Sequence, residues 1–384
     1  MQLVINTKGA LLRRRGERFE IRSGERTHEF AARKIQSIVI ATGVRLTSDA
    51  IQLAAESNVD IVFLNSAGDP TSRVWQTRMG STATIRRRQL QASLNQEGQS
   101  IAISWIETKL QNQLLFLRDL AERREKAATT IAESIDQISS SQEKLAQLRT
   151  KEGSPDDMTE ARLAETRGTV MGLEGSAGRS FFQTISRLLP EEYRFENRSR
   201  RPAQDSFNAT LNYAYGVLYS QVERALILAG LDPFIGFLHA DHYNKPSLTF
   251  DLIEPFRIIA ERTTVLLFTG RRVKADYFRA VPGGIELSPD GRAPLIEALN
   301  QRLDKVMRYP NQCGSGNPRK STTPDPPTID RPLTPGNSKK TSQSKQRNIK
   351  TRQAIRYEAH ALANRLLGRH DIPKLIETSE LLGE

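Results

Sequence analysis

Residues 230–257 read GLDPFIGFLHADHYNKPSLTFDLIEPFR, and this one span holds His239, Asp241, His242, Asp251 and Glu254. Asp251 and Glu254 stand at i and i+3, a spacing that a helix brings to one face. Pro255 follows directly. A residue before proline is pushed out of regular helix, so the helix is predicted to bend at Glu254. His239 closes the apolar run Gly236-Phe237-Leu238, which predicts a partly buried ring. A lone histidine in that setting also reads as a satisfied core residue. Asp251 taken alone reads equally as a carboxylate favoured by a helix N-terminus. Asp241 and His242 read as an exposed polar turn before Pro246. One imidazole and two carboxylates, with no thiolate beside them, form a donor set suited to Mn2+ or Mg2+. On spacing alone, a metal site and a scatter of polar residues are both open.

Moving upstream, the helical spacing is clear. Asp205 or Ser206 caps a helix whose buried face is Phe207, Leu211, Ala214, Leu218, Val222 and Leu226, and Gly230 ends it. Before it, Leu163, Val170, Leu173, Phe181 and Ile185 mark a helix for which Ser154-Pro155 supplies the expected start. That helix carries Gly172, Gly175 and Gly178 around Glu174. Glycine inside a helix costs roughly 1 kcal/mol relative to alanine, so three of them predict the close approach of another backbone or a ligand. Ile103, Ile106, Leu110, Leu114, Leu117 and Leu120 make one apolar helix face, and Ile131, Ile135, Ile138, Leu145 and Leu148 make a second, together a helical hairpin.

Residues 1–83 are different in period. Leu3-Val4-Ile5, the alternation around Phe19 and Ile21, Ile35–Ala41, Val59–Leu64 and Arg73–Thr77 read as strands. A short helix capped by Thr47 or Ser48 lies among them, with Asn58 as its stop. Downstream, Leu295–Met307 and Arg352–Leu367 read as helices, the latter stopped by Gly368. The expected class is therefore α+β: an N-terminal β-rich domain (1–83) and a larger, mainly helical domain (84–309). A Pro/Ser/Lys-rich insertion (310–349) with seven prolines cannot bury a core and is predicted to be disordered. A C-terminal helix and tail (350–384) follow.

Composition narrows the function. The 384 residues carry 56 Lys+Arg against 44 Asp+Glu, a net charge of +12. A polyanion is the implied partner, nucleic acid first and an anionic membrane surface second. Cys313 is the one cysteine, so no disulfide within the chain is possible, as fits a reducing cytoplasm. No window approaches the ~18 apolar residues of a membrane span, and the N-terminus has no signal-peptide core. Aromatic residues make up 6 %, which does not advertise a base-stacking platform. Arg179 and the cluster Arg198, Arg200 and Arg201 read either as phosphate clamps or as a solvated run paired with Glu191, Glu192 and Glu196. If the cluster is a metal site, the residues together fit divalent-metal phosphodiester chemistry on a nucleic acid.

MGLEGSAGRSFF (171–182), RSRRPAQDSFNATLNYAYGVL (198–218) and the 230–257 span resemble, in order and spacing, the CRISPR-associated integrase family, the Cas-one proteins of spacer acquisition. The resemblance implies a homodimeric, metal-dependent endonuclease. With its small Cas-two partner, such a protein inserts short pieces of foreign double-stranded DNA into a CRISPR array. A 3′-hydroxyl of the incoming DNA attacks a phosphodiester at the repeat boundary. Carried onto this chain, the Mg2+ or Mn2+ ligands and catalytic residues are Glu174, His239 and Glu254. Asp251 is a supporting or alternate ligand, Arg179, Arg198, Arg200 and Arg201 hold phosphates, and the β-domain serves dimerisation. Three departures stand out: Asp205-Ser206-Phe207-Asn208 where the family often reads DPVN, Asn244-Lys245 near which the family often has an arginine, and the insertion, which leaves open whether the last helix packs on the body. Two other outputs fit the same residues: a nuclease on branched or single-stranded DNA that does not integrate, and a non-catalytic DNA-binding scaffold.

Overall fold

The computed structural model describes residues 2–369 apart from 66–67, 69, 76–82, 125–126, 151–158, 201, 240–244 and 311–345. The chain opens with β1 (Gln2–Ile5), β2 (Leu11–Arg15), β3 (Arg18–Ser23), β4 (Arg26–Ala31), β5 (Ser37–Ile40) and β6 (Arg45–Leu46), then α1 (Ser48–Glu56), β7 (Asp60–Leu64) and β8 (Pro70–Val74). They form two sheets, ordered β4-β3-β2-β6 and β1-β5-β7-β8. The Thr47 side chain accepts from the Ala50 amide and caps α1, and Asn58 takes a positive φ of 55° just past its end. The continuous apolar run around β5 has a structural reason. Ile38, Ile40 and Ile61 face the small domain's own core, with Leu12, Phe19 and Leu53, whereas Val39, Val62 and Leu64 face the helical body. A strand buried on both faces has no room for alternation. The last strand is Pro70–Val74, not Arg73–Thr77, because its pairing with β7 begins at Pro70. Residues 76 and 77 lie outside the described residues.

The helical body follows: α2 (Ala83–Ser93), α3 (Gln96–Glu122), α4 (Ala128–Thr150), α5 (Glu160–Leu188), α6 (Ser206–Leu228), α7 (Ser247–Leu252) and α8 (Arg257–Thr269). Then come β9 (Phe278–Val281), β10 (Gly284–Leu287), α9 (Pro289–Leu303), β11 (Val306–Pro310), β12 (Gln346–Lys350) and α10 (Thr351–Leu366). Helices α3, α4 and α5 pack in sequence, each on the next, as their apolar stripes require. Thr159 caps α5 by accepting from the Arg162 amide; Ser154 and Pro155 lie outside the described residues. Asp205 caps α6 through the Asn208 amide at 2.7 Å.

Two boundaries differ from the sequence reading. Helix α9 spans 289–303 and Met307 belongs to β11, since the turn at 304–305 delivers the chain into a hairpin. That hairpin also corrects the insertion. Residues 346–350 are a strand paired antiparallel to 306–310, with Pro310 opposite Gln346. The two ends of the 311–345 segment, which is outside the described residues, are thereby held together. Helix α10 returns to pack on α6, α2 and α9, so the last helix is part of the body. No helix among the described residues is long and apolar enough to cross a membrane.

Helix α6 joins the two domains. Gly216 presses on Gly68: a Cβ on Gly216 would overlap the Gly68 carbonyl. Beside it, Asp60 is fully buried between Arg73 at 2.5 Å and Arg224 at 2.7 Å, and Arg73 also donates to the Ser220 carbonyl at 3.1 Å. Arg292 of α9 donates to the Ala41 carbonyl at 2.9 Å. Overpacking a site of this kind costs about 1–3 kcal/mol. Gly216→Ala is therefore expected to lower stability by that amount in urea denaturation; an unchanged midpoint would contradict the interdomain packing.

Candidate active site

The 236–251 segment builds the histidine's seat. Gly236 is required by close approach, for a Cβ there would lie 2.7 Å from Ser247 Cβ and 3.0 Å from Asp251 Oδ2. The Asp251 carboxylate accepts the backbone amides of Phe237 (2.6 Å), Leu238 (3.0 Å) and His239 (3.1 Å). Its Oδ1 also lies 2.5 Å from Nδ1 of His239. A carboxylate only accepts, so Nδ1 carries the proton and Nε2 of the neutral ring keeps its lone pair. Burial alone would lower the His239 pKa, but the hydrogen bond and charge of Asp251 outweigh it and raise the pKa above the ordinary 6.5. Asp251 sits in the last turn of the six-residue α7, so the helix-N-terminus reading of it does not hold.

The carboxylates come from two other places. Helix α7 stops at Leu252, and Glu254–Phe256 form a single 3-10 turn before α8. This is the bend that Pro255 predicts. The turn is pinned by Asn112 of α3, which donates to the Pro255 carbonyl at 2.8 Å. Glu254 then points at α3, where Lys109 Nζ lies 2.7 Å from its Oε2, while Arg257 reaches Oε1 at 2.9 Å. Burial would raise the Glu254 pKa, but Arg257 and Lys109 pull it down to about 2. The same Lys109 ammonium also binds Glu174 of α5. Arg257 is stacked over Tyr215 (4.9 Å to the ring centre) and bonds the Tyr219 hydroxyl at 3.2 Å. Behind it, buried Glu261 accepts from the Tyr215 hydroxyl at 2.8 Å, and burial raises its pKa.

Glu174, Glu254 and His239 are thus drawn to one region. Glu174 and Glu254 share one ammonium, and His239 and Glu254 are close enough that each charge shifts the other's titration. The side chains of Glu254 and Lys109 are 3 % and 6 % exposed, those of Glu174 and His239 30 % and 31 %, so the region opens on the Glu174–His239 side. Among the described residues no three acidic, histidine or cysteine side chains are gathered as a finished metal cage, and Lys109 contacts both glutamates. The donor chemistry nevertheless fits a hard divalent ion. Glu254 Oε2 is buried and is met by the Lys109 ammonium at 2.7 Å, so it already serves as an acceptor for a cation.

The three helical glycines near Glu174 meet no other backbone. A Cβ at Gly172 or Gly175 would touch nothing, and one at Gly178 only Glu174 Oε1 at 3.7 Å. The backbone half of that expectation is corrected: they leave open space beside Glu174. Arg179 and Arg200 are exposed. Arg198 is turned inward, bonding Asn208 and, at 2.8 Å, Asn212, with its guanidinium over the rings of Phe182 and Tyr215. Burial lowers its pKa. Its geometry is that of a brace for the 194–200 loop. Arg201, Asp241 and His242 lie outside the described residues.

Sequence reasoning missed Lys109, Asn112 and Arg257. Lys109 and Asn112 lie in the largely polar stretch 107–113 of α3, where sequence does not set them apart from Glu107, Thr108 and Gln111; the structure buries Lys109, Asn112 and Gln113. Arg257 stands at i+3 from Glu254, the spacing of a helical ion pair.

The family described as CRISPR associated protein Cas1 matches residues 3–301. The CRISPR-associated endonuclease Cas1 1 of Archaeoglobus fulgidus is 34 % identical over 282 residues, covering 72 % of this chain and 80 % of that protein. Among solved structures, a casposase bound to integration product superposes with a TM-score of 0.72 at 20 % identity, covering 99 % of this chain and 95 % of the other. A Cas6-RT-Cas1–Cas2 complex gives 0.69 at 19 % identity, covering 98 % of this chain and 36 % of that one. With an α+β architecture shared along nearly its whole length and a family match over residues 3–301, the chain belongs to the CRISPR-associated Cas1 family.

Proposed function

We propose that this protein is a divalent-metal-dependent DNA endonuclease and integrase that inserts short foreign DNA fragments into a CRISPR array. The observation that carries this reading is the pairing of Glu174 with Glu254 around one buried cation, next to a histidine whose Nε2 is kept available by Asp251. Glu174, Glu254 and His239 would hold Mg2+ or Mn2+, which when bound supplies charge stabilisation at the phosphoryl oxygens and orients the attacking and leaving oxygens. Asp251 fixes the ring and its tautomer, as a carboxylate behind a metal-binding histidine does. Arg257 keeps Glu254 ionised. Arg179 and Arg200, both exposed, would neutralise DNA phosphates, and the +12 net charge favours that partner.

The chemistry assigned to these groups is attack of a 3′-hydroxyl on a phosphodiester, with one P–O bond made as another breaks. The integration product bound to the casposase and the Cas1–Cas2 assembly of the other structural relative support joining over simple cutting. By the same likeness we assign the protein a Cas2-type partner; the resemblance carried by 171–182, 198–218 and 230–257 adds a homodimer in which the β-domain takes part, and the single cysteine fits a cytoplasmic setting.

Glu174→Gln and His239→Ala are expected to abolish strand transfer into a supercoiled repeat-containing plasmid while leaving the circular dichroism spectrum unchanged. The assay is run with Mn2+, with and without the Cas2-type partner. Normal joining by Glu174→Gln overturns the site; cutting without joining by the unaltered protein overturns integration. Asp251→Asn turns an amide N–H2 towards backbone donors and is expected to lower activity about 10–100-fold. The neutral His239 ring is the binding form, and its pKa is raised. Mn2+ affinity is therefore expected to fall as pH is lowered through a value above 6.5, and that midpoint to drop in Asp251→Asn. A titration midpoint in Asp251→Asn equal to that of the unaltered protein would contradict this linkage.

A further inference from the structure

Lys109 holds the position that a cation must hold for the two glutamates to stay together. Its Nζ contacts Oε1 of Glu174, from α5, and Oε2 of Glu254, from the turn before α8. The Glu254 carboxylate is 3 % exposed, so water does not screen it. Arg257 serves its Oε1 at 2.9 Å, and the Lys109 ammonium is the partner of Oε2 at 2.7 Å. Two carboxylates facing each other with no cation between them repel strongly in a poorly screened site.

We infer that Lys109 is a built-in placeholder for the metal: its ammonium keeps Glu174 and Glu254 assembled in the metal-free protein, and it competes with the divalent ion for their oxygens. This inference rests on the metal site proposed above. The ammonium has somewhere to go. Its four-carbon stem is flexible, and Glu261, buried on α8 one turn past Arg257, lies within electrostatic reach of it. Lys109 is thus a positioning residue that sets how much metal the site requires. The fully folded protein keeps its ligands close without metal, at the cost of a weaker metal affinity.

The test measures Mn2+ binding to the full chain, by the electron paramagnetic resonance signal of free Mn2+, for the unaltered protein, Lys109→Met, Lys109→Gln, Lys109→Arg and Glu174→Gln. The two neutral variants are expected to bind Mn2+ about tenfold more tightly or better, a change of roughly 1.4 kcal/mol. Lys109→Arg, which keeps the charge, binds no more tightly than the unaltered protein. Without metal, the thermal midpoint of the neutral variants drops, and Mn2+ raises it by more than it raises that of the unaltered protein. A neutral variant that folds only with Mn2+ supports the inference equally, since the metal then takes over the role of the ammonium. Neutral variants that bind Mn2+ no better than the unaltered protein, or that stay unfolded in saturating Mn2+, overturn it. Mn2+ binding that survives Glu174→Gln removes the metal site itself and the inference with it. Loss of binding in Glu174→Gln without a gain in the neutral variants removes only the role given to Lys109.

Discussion

One buried ammonium draws together three parts of this chain that sequence keeps far apart. Lys109 of α3 meets Glu174 of α5 and Glu254 of the turn before α8, and Arg257 closes the group from behind. Charges of this kind are costly to bury and stable only when all partners are present. The cluster is therefore coupled to the folding of the whole helical body: lose one helix and the remaining charges are stranded. The polar layer around it works the same way. Asn112 holds the Pro255 carbonyl, and Gln113 and Tyr215 both face Glu261.

The imidazole side of the site has its own anchor. Asp251 gathers three successive backbone amides and the His239 ring on one carboxylate, and Gly236 leaves the room for it. The ring is thus oriented by an element, α7, that lies next to the Glu254 turn in sequence. One short span of chain positions both groups, so their relation is set locally, while Glu174 must be brought in by α5.

Helix α6 links the site to the small β-domain. Tyr213, Gly216, Ser220 and Arg224 lie along the face that meets the β-domain. Asn208, Asn212, Tyr215 and Tyr219 lie along another, bracing Arg198, Glu261 and Arg257. Both sets repeat at three and four residues, and such spacing keeps each set on one side of a helix. The helix is buried on both sides, and its polar residues mark what each side does.

Much of this was legible in the amino-acid sequence. Periodicity alone separates the β-rich start from the helical body. Thr47, Asp205 and Asn58 mark element ends because their side chains or backbone suit those positions locally. Pro255 bends the chain at Glu254 for a steric reason confined to neighbouring residues. The resemblance carried by 171–182, 198–218 and 230–257 agrees with the family to which the chain belongs. Other features were decided only by the tertiary structure. Lys109 looks like one more surface lysine until α3 is seen to be buried on that side, and the inward turn of Arg198 onto Asn208 and Asn212 is visible only in the folded loop. The insertion leaves the packing of the last helix open in the sequence, and pairing of 306–310 with 346–350 returns α10 to the body. The division follows range. Steric and capping effects act over a few residues and are written in them, whereas which side of a charged residue is buried depends on segments a hundred positions away.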